Sequence, residues 1–116
     1  MSSQRVFHVR DHLQPNVGEP IRSVVHATDD AAVVAWTVQP GQRISPHLHP
    51  SGQDTWTVLE GEGDYQLDAA GTTVRIRAGD VVVAPTGAVH GVRCTGTLPL
   101  VILSVVSPAL SGYELL

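Results

Sequence analysis

Apolar and polar residues alternate with a period of two along most of this chain, the signature of strands that bury one face. The alternation predicts strands over residues 5–9, 21–28, 32–39, 55–60, 64–68, 73–77, 80–84, 89–93 and 100–106. Glycine and proline mark the gaps, at Pro40-Gly41, Gly61 to Gly63, Ala70-Gly71, Ala78-Gly79, Pro85 to Gly87 and Gly96. Many short strands joined by such turns imply an all-β closed barrel or sandwich. Only the tail after Pro108 has a helical flavour, and it is too short to add an element.

The same alternation assigns faces. With Asp54 inward, Trp56 and Val58 follow it into the core, while Thr55, Thr57 and Leu59 face out. With His90 inward, Val92 and Cys94 follow it and Arg93 faces solvent. Tyr65 and Leu67 form one inward set, and Val74 and Ile76 another, with Arg75 and Arg77 outside.

Composition narrows the class without changing this picture. A chain of 116 residues with 42% hydrophobic content reads as one globular domain over residues 1–116. No run approaches the ~20 apolar residues of a membrane span. The N-terminus lacks the apolar core of a secretion signal, so the cytoplasm is the expected location. Net charge is −4 and the basic residues are scattered, which argues against nucleic acid as a partner. The single cysteine excludes an internal disulfide framework.

The chemistry gathers at three histidines. Pro46-His47-Leu48-His49-Pro50 puts two imidazoles two residues apart, on one side of an extended strand. His90 follows Pro85-Thr86-Gly87-Ala88-Val89. From a facing strand it would complete a three-nitrogen face suited to zinc, iron, nickel or copper. Five residues separate Gly41 from His47-Leu48-His49, four more precede Asp54, and Gly61 closes the stretch. From Gly79, five residues lead to Pro85-Thr86-Gly87, and His90 and Cys94 follow. This pair of stretches resembles the two signature motifs of the cupin superfamily, as does the hairpin Val58-Leu59-Glu60-Gly61-Glu62-Gly63 between them.

The resemblance implies a double-stranded β-helix, or jelly-roll, barrel holding one divalent transition metal (Fe, Mn, Ni, Zn or Cu) on His47, His49 and His90. The usual fourth ligand of the first motif is glutamate, and here Asp54 stands in its place. One methylene shorter, Asp54 is expected to be at best a weak ligand, with Gln53 as its rival. The second motif usually ends in asparagine, where this chain has Cys94.

Trp56, Gln53 and Cys94 are candidates to line a substrate cavity, and Tyr65 or Asp54 to act as a base. The resemblance implies a metal-dependent enzyme of dioxygenase, isomerase or lyase type, oxidoreductases included, acting on a small molecule. A non-catalytic ligand- or metal-binding module is the alternative, and a barrel without metal a third reading. His8, His12 and His26 are expected to be surface or half-buried. Apolar Phe7, Ile21, Val25 and Leu59 predict a homodimer that covers exposed strand edges.

Overall fold

A computed structural model describes residues 4–116, whose regular structure is one 3-10 turn, Val9–His12, and ten strands. The strands are β1 (Ser23–Ala27), β2 (Ala32–Val38), β3 (Arg43–Leu48), β4 (Gln53–Glu60) and β5 (Glu62–Gln66), then β6 (Thr73–Arg77), β7 (Val81–Ala84), β8 (His90–Cys94), β9 (Leu100–Ser107) and β10 (Glu114–Leu115). They form two five-stranded sheets, ordered β1-β2-β9-β4-β7 and β10-β3-β8-β5-β6. All pairings are antiparallel. The sheets share one core, to which the first contributes Val38, Trp56, Val58, Leu100 and Ile102, and the second Ile44, Tyr65, Ile76, Val92 and Cys94. This is the all-β jelly-roll architecture that the alternation and the motifs imply.

Faces follow the expected alternation in β4 and β5, whose burial switches residue by residue, and in β8 Arg93 alone is exposed, between buried Val92 and Cys94. Val74 and Leu67 depart from it, being 47% and 49% exposed. β6 is the outermost strand of its sheet and Leu67 lies beyond the end of β5, so neither side chain has the opposite sheet over it. Residues 5–9 form no strand; they lead into the 3-10 turn that Val9 opens, with Phe7 packed against His12 and His26. Among the described residues no helix is long and apolar enough to cross a membrane.

Two strands escape the alternation, and they pair with each other at His47. β3 contains Pro46, which interrupts its pattern, and its pairing with β8 shifts register between Ile44 and His47. β10 lies in the tail, where the sequence predicts no element, and it pairs with β3 at Leu48 and His47. The tail is clamped by two glycines. A Cβ at Gly52 would collide with the Ser111 Cβ, and Gly112 has φ 75° with the Pro50 ring against it. The last residues thus become a wall beside His47.

Candidate metal centre

His47 on β3 and His90 on β8 are cross-strand partners in one sheet, with ring centroids 4.1 Å apart. His90 therefore lies beside His47 and not on a facing strand. His49 follows β3, and its ring lies 5.2 Å from each of the other two. Asp54 enters from β4 in the opposite sheet. One potential ligand atom from each of the four residues falls within 4.8 Å of all the others. Three of these residues are buried and His49 is half-buried.

The outer ring nitrogens are all engaged. His47 Nδ1–H donates to the Ser45 carbonyl at 2.7 Å, His90 Nδ1–H to the Ala88 carbonyl at 3.0 Å, and His49 Nδ1–H to the Gly112 carbonyl at 2.8 Å. A carbonyl can only accept, so each neutral ring keeps its proton on Nδ1 and offers the Nε2 lone pair. Asp54 Oδ2 lies 3.0 Å from His90 Nε2 and 3.4 Å from His49 Nε2. Acceptors facing one another at that range, nearly cut off from water, need a cation between them, a proton or a metal ion. Three imidazole nitrogens and a carboxylate oxygen form a donor set that suits a divalent transition metal. The residues fit the ion.

Asp54 does reach the cluster, contrary to the expectation from its length. Its carboxylate is anchored from behind, where the Ser104 Oγ–H donates to Oδ1 at 2.5 Å. Oδ2 is left to face the histidines. Burial alone would push this carboxyl up, but hydrogen bonds with His49, His90 and Ser104 outweigh it and hold it well below the usual carboxylate range.

The other sequence candidates lie elsewhere. Gln53 is exposed and turns to the opposite face of β4, where its amide donates to the Thr55 hydroxyl, so it is no rival ligand. Cys94 is buried in the core and its thiol contacts the Leu98 carbonyl, outside the cavity. Tyr65 is 3% exposed and packs edge-on against Trp56, and burial pushes its phenol up to about 12. It neither lines the cavity nor suits a base. Trp56 supports His90 from below, with centroids 5.6 Å apart, and does not line the cavity either. His8, His12 and His26 stand apart from the cluster, His8 and His26 exposed and His12 half-buried.

The cluster opens into a cavity of about 530 Å³. Val34, Trp36, Ile44, Val106 and Leu110 give it an apolar wall, and Arg22 and Glu19 line it as well. Tyr113 stacks over His47 at 4.9 Å, and burial and the Glu19 carboxylate raise its pKa. Sequence reasoning missed Ser104, Tyr113 and Arg22. A signal existed for Ser104, the one polar residue at an inward position of the otherwise apolar β9.

The histidines differ in their response to acid. Burial pushes metal-free His47 down to about 4, whereas the hydrogen bond to Asp54 raises His49 above its ordinary 6.5. An incoming ion therefore finds His47 already neutral near pH 7 but competes with protons for His49. Metal affinity is expected to fall as pH drops through the raised His49 value, with His47 contributing only near 4. Chelator competition from about pH 8 down to about pH 4 checks this. An affinity that is flat until the acid end would contradict it.

The family model described as Cupin domain matches residues 34–106, a span that includes all four cluster residues. An uncharacterized protein of Aquifex aeolicus (strain VF5) is 39% identical over 69 residues, covering 60% of this chain and 54% of that protein. The match thus spans about half the length of that relative. A crystal structure of an uncharacterized conserved protein with a double-stranded beta-helix domain, from Klebsiella pneumoniae subsp. pneumoniae MGH 78578, is 45% identical. It superposes with a TM-score of 0.94 over 97% of both chains. KdgF from Halomonas sp. is 27% identical, with a TM-score of 0.75 over 91% of this chain and 94% of its own.

Proposed function

The chain belongs to the cupin family, and from that premise we propose that it holds one divalent transition-metal ion on His47, His49, Asp54 and His90 and uses it on a small molecule. One observation carries this reading: three Nε2 lone pairs and a carboxylate oxygen converge in a nearly dry site, with each Nδ1 held by a backbone carbonyl. A structural histidine cluster would spread its donors among hydrogen-bond partners. Here every spare acceptor points inward.

When bound, the ion would supply Lewis acidity and, if redox-active, electron transfer. The chain's own residues would do the rest. Ser104 fixes which carboxylate oxygen faces the centre, and the Gly112 carbonyl orients His49. The Tyr113 phenol, neutral near pH 7 as any unshifted phenol is and kept further from ionising by its raised pKa, can donate a hydrogen bond toward the cavity it lines. The apolar wall limits water around a bound molecule. Dioxygenase, isomerase and lyase chemistry all remain within this proposal, because the fold itself does not select a reaction. A homodimer belongs to it too, since Leu59, Val81 and Val83 leave apolar area exposed on the outer face of β4 and β7.

Protein purified without a metal-affinity tag is expected to carry, or to take up from solution, about one equivalent of iron, manganese, nickel, copper or zinc. A panel of small molecules, incubated with loaded and with chelated protein, then separates a catalyst from a binding module. Failure to retain any of the five ions would remove the reading.

A further inference from the structure

Among the described residues, Arg22 is the only arginine or lysine lining the cavity that holds the histidine cluster. It sits just before β1, it is exposed, and it makes no ion pair among the described residues. Arg10 and Arg75 are paired with Glu60 and with Glu62 and Asp64, while Arg5, Arg43, Arg77 and Arg93 also make no ion pair among the described residues but do not line the cavity. The other full charges lining the cavity are the carboxylates of Glu19 and Asp54. Before any proton or ion among the ligands is counted, two carboxylates against one guanidinium leave the cavity one unit negative. A divalent ion would reverse that sign, so the loaded cavity would attract a single negative charge.

Much of the remaining lining is apolar, and the half-buried Trp36, brought next to Arg22 by the Ser23–Ala35 pairing, offers a flat surface beside the guanidinium. A guanidinium matches a carboxylate with two parallel N–H···O bonds. We propose that the cavity selects small monocarboxylates with an apolar or aromatic body, the carboxylate held by Arg22 and the body lying against Trp36. The proposal rests on the metal reading for the sign of the loaded cavity. The guanidinium itself belongs to the site whether or not an ion is present.

Mandelate is a suitable probe because it joins a carboxylate, a hydroxyl and a phenyl ring; mandelamide is its neutral control. Both are titrated by calorimetry into zinc-loaded and metal-free protein, wild type and Arg22→Gln, with zinc content measured in each sample. Zinc has no redox chemistry, so the readout is binding alone. Mandelate should bind loaded wild type more tightly than metal-free protein. Arg22→Gln should weaken mandelate by about tenfold or more, the usual scale for a lost charge-assisted hydrogen bond. Zinc content and mandelamide affinity should stay the same.

Equal mandelate affinity in the two proteins would overturn the proposal. So would equal losses for mandelate and mandelamide, or no mandelate binding by the wild type. If the chain takes up neither zinc nor any of the other four ions, the metal reading fails by itself. The metal-free titration then decides the anion site: a loss on Arg22→Gln keeps it, and no change removes it. Arg22 is exposed and outside the core, so misfolding does not confound the comparison.

Discussion

Replacing His90 by alanine is expected to abolish the thermal stabilisation that a divalent transition metal gives the wild-type chain. An ion that binds only the folded state stabilises it by about 2.7 kcal/mol at a hundredfold excess over Kd. For a domain of this size that is roughly 10 °C in Tm. His90 is 1% exposed, rests on Trp56 and pairs across the sheet with His47. The alanine variant also loses packing, and a large-to-small change in a core commonly costs about 2–5 kcal/mol. Absolute Tm is therefore the wrong readout. The difference between loaded and chelated samples of each protein isolates the ion, and it should vanish in the variant. A His90→Ala protein that still gains most of the wild-type shift would place the ion elsewhere.

The second large effect is expected at Asp54, where asparagine keeps the shape and removes the charge. The Ser104 hydroxyl donates to Oδ1, so the asparagine oxygen will take that position and its NH2 will face the histidines. A donor then sits where a ligand is needed. Metal affinity should fall by more than the ~10–100-fold typical of losing an outer partner of a metal ligand. Metal-free protein should keep its stability, because the NH2 can donate to the Nε2 lone pairs of His90 and His49. Melting curves and chelator competition on one preparation measure both. Wild-type metal affinity in Asp54→Asn would mean that the carboxylate is a spectator, as its length alone predicts.

Asp54 also shows how far sequence reading reaches. Side-chain length is visible in sequence, but reach depends on where the backbone is held. β4 is paired on both sides, with β9 and with β7, and Ser104 comes from β9, directly across from Trp56. Ser104 stands out as the polar inward residue of β9, but nothing in the sequence around Asp54 pairs it with a hydroxyl fifty positions away. The strands of the barrel were legible because one-sided burial writes a period of two, clearest in β4 and β5. β3 was illegible as an element because Pro46 and a register shift interrupt that period, although its two histidines marked it as extended.

The C-terminal tail misled for another reason. Its order comes from distant partners: Ser51 N–H donates to the Ser111 carbonyl, β10 adds to β3, and Gly112 bonds His49. A stretch with no periodicity of its own can still be fixed by contacts, and this one carries Tyr113 into the site. Trp56 is likewise not the cavity wall that the sequence suggests; that place belongs to Trp36. Both face inward, but Trp56 lies deep in the core, whereas Trp36 borders the cavity.

X-ray absorption fine structure at the metal edge of loaded protein tests the ligand set most directly. The expected spectrum contains three imidazoles and at least one further oxygen, at roughly 2.0–2.2 Å. The imidazole signature should drop in His49→Ala, the oxygen shell should change in Asp54→Asn, and Gln53→Ala should leave the spectrum as it is. A spectrum of water oxygens with no imidazole scattering would show that the converging histidines are not where the ion binds.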